Sequence, residues 1–274
     1  MNKRQQAEMA ATFRARHSRK PVLLLPNAWD AMSARIFAAA GFTALATTSG
    51  GVAWALGYAD GEVAPWVEVV AATARIVRAA GIPVTADIEA GYAETPAELA
   101  AHVREIIGAG VVGINLEDGR HHTNLRPIED AADRLRASRA AADDEGVPIC
   151  INARCDVFLV SRAAETSHFA EALERCRAYL AAGADCVYPF GLRDPAMIGD
   201  FIKQLDAPVN VTGRPGMPDA AALEKLGVAR ITIASAPALT TMSAIQKIAN
   251  DLRSGRFDSL TSAMNRADAQ KLFQ

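Results

Sequence analysis

Eight short apolar or β-branched runs, each followed by a longer Ala-rich amphipathic segment, succeed one another along 274 residues with no linker or low-complexity break. That rhythm, the glycine turns that precede several of the runs, and the lack of a GxGxxG after the first run predict an α/β fold. Its specific form is one (β/α)8 (TIM) barrel domain spanning 1–274. A doubly wound open sheet is the rival, and it fits eight units and a glycine-poor first turn less well.

In chain order the strands are VLLLP from Val22, ALATTS from Ala44, PVTADIE from Pro83 and GINLED from Gly113. They continue with PICINARCD from Pro148, ADCVYPF from Ala184, APVNVT from Ala207 and ARITIA from Ala229. Helical patterns follow, among them 30–40, 65–80, 95–109 and 128–144, and several open on Asp, Thr or Pro, residues that cap or start a helix. The AGI, AGV and AGAD turns before strands three, four and six place a glycine where a helix end needs the left-handed conformation. The last stretch, 239–274, reads as more than one helix.

Half of the residues are hydrophobic and 22% are charged, a balance that supports a large core and does not suit a disordered chain. A net charge of −2 provides no basic field, so neither nucleic acid nor an anionic membrane is expected as a partner. The opening MNKRQQAEMAATFRARHSRK is polar and lacks the apolar run of a signal peptide, and no transmembrane stretch follows. Cys150, Cys155, Cys176 and Cys186 form no CxxC pair, which predicts reduced, buried thiols in a cytoplasmic enzyme.

Barrel strands point side chains alternately inward and outward, and chemistry gathers where the strands run into their following loops. In strand three, Thr85, Asp87 and Glu89 share one face and Val84, Ala86 and Ile88 the other. Asn115 and Glu117 share a face in strand four, as do Asn152, Arg154 and Asp156 in strand five. Asp87, Glu89 and Glu117 brought together would repel one another and raise their pKa values unless a cation neutralised them. Oxygen ligands without His or Cys at ligand spacing favour Mg2+ (or Mn2+) over Zn2+. The competing reading makes these acids strand-end caps or salt-bridge partners. Arg154 is a permanent positive charge suited to two-pronged carboxylate binding, or else a structural partner of Glu117 or Asp156. In TTSGG, 47–51, a hydroxyl and two glycines let backbone N–H groups approach an anion.

The segments LLPNAWDAMSARIFAAAGFTALATTSGGVAWALGYADGE, PVTADIEAGYAETPAEL, GVVGINLEDG and PICINARCDVF, in this order from 24 to 158, resemble the isocitrate lyase and phosphoenolpyruvate mutase superfamily. The resemblance implies a barrel whose last helix is swapped between subunits of a homodimer or homotetramer. It implies Mg2+ held chiefly by Asp87, with Asp60, Glu89 and Glu117 completing the shell largely through water. Ser49, Gly50 and Gly51 are similar to the family's substrate carboxylate and oxyanion site, and Arg154 to its substrate arginine. Trp29 and Asn210 complete the candidate substrate-binding set. Glu89 departs from the Asp more usual in mutases and methylisocitrate lyases.

The larger departure is the loop GRHHTNLRPIED, which lacks the acid-serving Cys of isocitrate-type lyases. It carries His121 and His122, which are solvent-facing residues or catalysts, and Thr123 and Asn124, which resemble the gating loop of phosphonopyruvate enzymes. Candidate catalytic residues are therefore Arg154, Asp60, His121 and Asn124. Loss of CO2 from an oxaloacetate-like 2-oxo acid needs no proton for its leaving group and fits a Cys-free loop. The expected function is a Mg2+-dependent carbon–carbon lyase passing through a pyruvate-type enolate of a small 2-oxo or 2-hydroxy carboxylate, with such decarboxylation preferred. The alternatives are phosphonopyruvate mutase or hydrolase chemistry and a non-catalytic 2-oxo acid binding protein.

Overall fold

The structure, a computed structural model, describes residues 2–18, 20–120, 123–160 and 165–274. Each of the eight runs forms a strand. They are β1 Leu23–Leu25, resumed after Pro26 as Asn27–Ala28, then β2 Leu45–Thr47, β3 Val84–Asp87 and β4 Gly113–Glu117. The other four are β5 Cys150–Cys155, β6 Cys186–Pro189, β7 Asn210–Thr212 and β8 Arg230–Thr232. Pro26 has no N–H to give a ladder, which explains the break in β1.

Pairing is parallel around the whole ring. Asn27 lies opposite Ala46, Leu45 opposite Val84, Asp87 opposite Asn115, Glu117 opposite Arg154, and Arg154 opposite Tyr188. A single bridge, Val187 to Val209, links β6 to β7, while Val211 and Leu24 both pair with Ile231 of β8. The sheet thus closes on itself as the (β/α)8 barrel that the sequence predicts.

The helices are α1 Lys3–Ala15, α2 Ala31–Ala39, α3 Ser49–Leu56, α4 Trp66–Ala80, α5 Pro96–Gly108 and α6 Ile128–Asp144. After them come α7 Val157–Val160, α8 Glu165–Ala181, α9 Pro195–Leu205, α10 Ala220–Lys225, α11 Ala236–Arg253 and α12 Arg266–Leu272. Local chemistry sets their ends. Thr95 accepts from the Glu98 N–H with Pro96 in the first turn, and Asp194 does the same for Met197 before Pro195. Gly81, Gly110 and Gly183 of the AGI, AGV and AGAD turns have φ of 64°, 95° and 104°, the left-handed conformation expected there.

Two helices depart from the expectations. The polar N-terminal stretch forms α1, started by a reciprocal cap between Asn2 and Gln5. It buries Ala10 and Phe13 in the main core, and Gln6 donates to the carbonyls of Ile107 and Val111 at 2.7 and 2.9 Å. The chain after it brings His17 to within 3.7 Å of the Cys150 thiol at the start of β5. TTSGG is the other departure. The strand stops at Thr47 and Ser49 already opens α3, so Ser49, Gly50 and Gly51 form a helical first turn.

Candidate active site

Asp87 ends β3 with its carboxylate held on both sides. Oδ2 accepts from the Ser49 N–H at 3.1 Å and the Ser49 hydroxyl at 2.9 Å, and Oδ1 accepts from Asn115 Nδ2 at 2.9 Å. Its own N–H donates to Thr47 Oγ1 at 2.8 Å. Asn115 is positioned in turn by Asn152 Nδ2, 2.8 Å from its Oδ1. A chain of side chains across β5, β4, β3 and α3 therefore fixes one carboxylate at the barrel mouth.

Arg154, on β5 two strands from Asp87, is 7% exposed and pinned by two acids. Nη1 lies 2.8 Å from Glu117 Oε2, while Nε and Nη2 meet the two oxygens of Asp156 at 2.6 and 3.0 Å. Its guanidinium carbon sits 4.1 Å over the Phe190 ring. Burial works against the charge, but the Glu117 and Asp156 carboxylates overcome it and hold Arg154 above the ordinary arginine value.

A cavity of about 310 Å³ opens at this mouth, and Ser49, Asp60, Asp87, Arg154 and Asn210 all line it. Gly50 and Gly51 stand behind Ser49 where side chains would not fit. A Cβ on Gly50 would meet Asp60 Oδ2 at 2.9 Å, and one on Gly51 would meet Thr48 Cγ2 and Trp29 Cβ at 2.7 Å each. Trp29 thus backs the first turn of α3 rather than bordering the cavity.

The remaining acids stand apart. Glu89 lies beyond the end of β3 with φ at 52°, and its carboxylate accepts from the Glu62 N–H at 2.9 Å and the Tyr92 hydroxyl at 2.7 Å. Burial, opposed by the Tyr92 hydrogen bond and reinforced by Asp60, Asp87 and Glu117, pushes its carboxyl up to about 8. Glu117 faces Arg154. Among the described residues, no three His, Cys, Asp or Glu side chains converge closely enough to enclose an ion. One anchoring carboxylate on an open cavity, with further acids near enough to feel its charge, fits a cation that keeps several of its waters.

Asn124 is exposed, in a two-residue antiparallel ladder that pairs Gly119–Arg120 with Asn124–Leu125, and it borders a shallow depression with Glu62, Glu94 and Arg120. The cavity does not include it. His121 lies outside the described residues, as does His122.

Other lining residues escaped the sequence reading. Asn27 ties three strands, donating to the Thr47 carbonyl and accepting from the Ile233 N–H, both at 2.8 Å. Tyr188, Phe190, Arg230 and Thr232 complete the far wall. The alternation applied to strands three to five, carried on to β6 and β8, marks these side chains as inward.

Comparison with known proteins agrees with this geometry. The family model described as phosphoenolpyruvate phosphomutase matches residues 13–253. A Burkholderia cenocepacia J2315 protein, solved as a candidate phosphonomutase, is 43% identical with a TM-score of 0.85, over 89% of this chain and 99% of that one. An uncharacterized protein of Mycobacterium tuberculosis is 33% identical over 82% of this chain and 83% of its own length. The oxaloacetate decarboxylase of Ectopseudomonas mendocina is 31% identical over 81% of this chain and 76% of its own length. The chain belongs to the phosphoenolpyruvate phosphomutase family, and is an enzyme of the superfamily of lyases and mutases that includes it.

Proposed function

We propose that the protein is a Mg2+-dependent carbon–carbon lyase acting on a small 2-oxo or 2-hydroxy carboxylate through a pyruvate-type enolate, with decarboxylation of an oxaloacetate-like 2-oxo acid as the preferred reaction. The observation that carries this reading is the convergence of Ser49, Asp60, Asp87 and Arg154 on one cavity.

Asp87 is the residue that would hold Mg2+, with Asp60, Glu89 and Glu117 acting through water. The bound ion would polarise the reactant's carbonyl and favour the enolate. The first turn of α3, which starts at Ser49, would offer the backbone N–H groups of Gly50 and Gly51 to a carboxylate or developing oxyanion, as helix N-termini suit anions. Arg154, held by Glu117 and Asp156, adds a fixed positive charge that needs no reorganisation as negative charge moves. Asn210 and Trp29 shape the substrate side, Asn210 directly and Trp29 through the α3 turn.

Similarity to an oxaloacetate decarboxylase supports the preferred reaction. The test is to incubate the purified protein with Mg2+ and a panel of 2-oxo and 2-hydroxy dicarboxylates and follow products by NMR. Pyruvate released from oxaloacetate, abolished by EDTA and by Asp87→Ala, is the expected result; no metal-dependent turnover across the panel overturns the reading. Phosphonopyruvate chemistry, mutase or hydrolase, is the second reading, supported by the family model and the Burkholderia relative. In this reading His121 and Asn124 serve the reaction, and a changed 31P spectrum of phosphonopyruvate identifies it.

A homodimer or homotetramer with the last helix exchanged is part of the proposal. The C-terminal helices and the chain joining them expose Leu239, Ile245, Phe257, Leu260 and Phe273. Among the described residues no helix is long and apolar enough to cross a membrane. The four cysteines are free and buried, which supports a reducing, cytoplasmic setting.

A further inference from the structure

The cavity that carries Asp87 and Arg154 also reaches Arg230, the first residue of β8. Arg230 is 1% exposed, and its Nε and Nη1 donate to nothing among the described residues. Arg154 shows the contrast: it is also buried but satisfied by Glu117 and Asp156.

A buried guanidinium is costly unless its charge and its donors are matched. The groups whose charges act on Arg230 are Cys186, Cys150, Tyr188 and Asp87. The first three are neutral at ordinary pH, since burial raises both thiols and the phenol. Asp87 is already engaged by Ser49 and Asn115. His17, which feels the Arg230 charge from the α1 side, is kept neutral by burial first and then by that charge. A second polar atom on the same cavity, Thr85 Oγ1, is buried and likewise without a hydrogen-bond partner. One buried cation with two unmatched donors and one idle hydroxyl thus border a single cavity, and no hydrogen bond from Nε or Nη1 holds the guanidinium in its present orientation.

We propose that Arg230 makes the β8 side of this cavity a binding site for a compact monovalent anion, either a halide ion or a carboxylate group. The site is defined by charge and unmet donors, so it stands whichever reaction the mouth performs. A carboxylate paired with Arg230 is stabilised in its charged ground state, which works against its loss as CO2.

Bromide tests this directly. In crystals grown with sodium bromide, the anomalous map is expected to show a peak within hydrogen-bonding distance of the Arg230 guanidinium. In solution with EDTA, at ionic strength held constant with sodium sulfate, bromide and formate are expected to raise the melting temperature saturably. Arg230→Met loses that response and Arg230→Lys keeps part of it. Should Arg230→Met fail to fold, the crystal and Arg230→Lys carry the decision. Absence of both the peak and a saturable response, or an equal response in Arg230→Met, overturns the proposal. The source of the anion is read by competition. Pyruvate or succinate displacing bromide supports a reactant's carboxylate at Arg230, and bromide bound alongside either acid supports a free ion. Because no turnover is measured, loss of the lyase reading leaves this result intact.

Discussion

Ser49 donates twice to one oxygen of Asp87, from its N–H at 3.1 Å and its hydroxyl at 2.9 Å. The helix start and the strand end are thereby locked together, and the first turn of α3 cannot shift without moving the carboxylate. Ser49→Ala keeps the N–H contact and removes the hydroxyl. A hydrogen bond to a charged acceptor contributes about 1.5–3 kcal/mol, so kcat/KM for the proposed lyase reaction is expected to fall about 10- to 100-fold, and the proposed Mg2+ dependence to shift to higher concentration. Initial rates across a Mg2+ titration check this; rates matching the parent protein would show that the hydroxyl does not organise the site.

Arg154 is the buried centre of an acid–base–acid cluster with Glu117 and Asp156. Arg154→Met leaves two buried carboxylates facing each other, and removal of one partner from a buried pair costs about 3–5 kcal/mol. The urea midpoint is expected to drop accordingly. Arg154→Lys restores the charge but not the two-pronged contact with Asp156, so it should recover only part of the stability and little of the activity.

Gly51 sits where a methyl group has no room. A Cβ there would lie 2.7 Å from both Thr48 Cγ2 and Trp29 Cβ. Overpacking of this kind costs about 1–3 kcal/mol, so Gly51→Ala should lower the melting temperature and displace the α3 turn, raising KM. Calorimetry and steady-state kinetics read the two effects separately.

His17 links stability to pH. Burial, then the Arg230 charge, lowers its pKa from 6.5 to about 4 in the folded protein. Between those values the unfolded chain binds more protons than the folded one, so stability rises with pH across that window. The contribution is complete above about pH 6.5 and is lost as pH falls toward 4. The span corresponds to about 3 kcal/mol by the free energy of a pKa shift. Denaturation at pH 7 and pH 4.5 should show this loss in the parent protein and a smaller one in His17→Gln. Equal losses in both would exclude His17 as the source.

Much of the fold could be read directly from the residues. All eight strands and the four helices read at 30–40, 65–80, 95–109 and 128–144 stand where the pattern placed them, because alternation along a strand and amphipathic spacing along a helix are local properties. Helix α1 escaped that reading because its packing face is small: Ala10 and Phe13 gain their value only against the main core, and the Gln6 amide only against the Ile107 and Val111 carbonyls. Within the site, inward alternation found Asp87, Asn115 and Arg154 for the same local reason.

At Asp87 itself the sequence determined an acid on the inward face of the third strand, with Ser49, 38 residues earlier, and two glycines directly after that serine. Only the tertiary structure decided which neighbours serve it. The backbone beyond β3 turns to a φ of 52° at Glu89 and commits that acid to Glu62 and Tyr92, while closure of the ring brings Arg230 to the cavity's far wall. Turn conformation and ring closure depend on contacts between distant segments, and no local spacing encodes them.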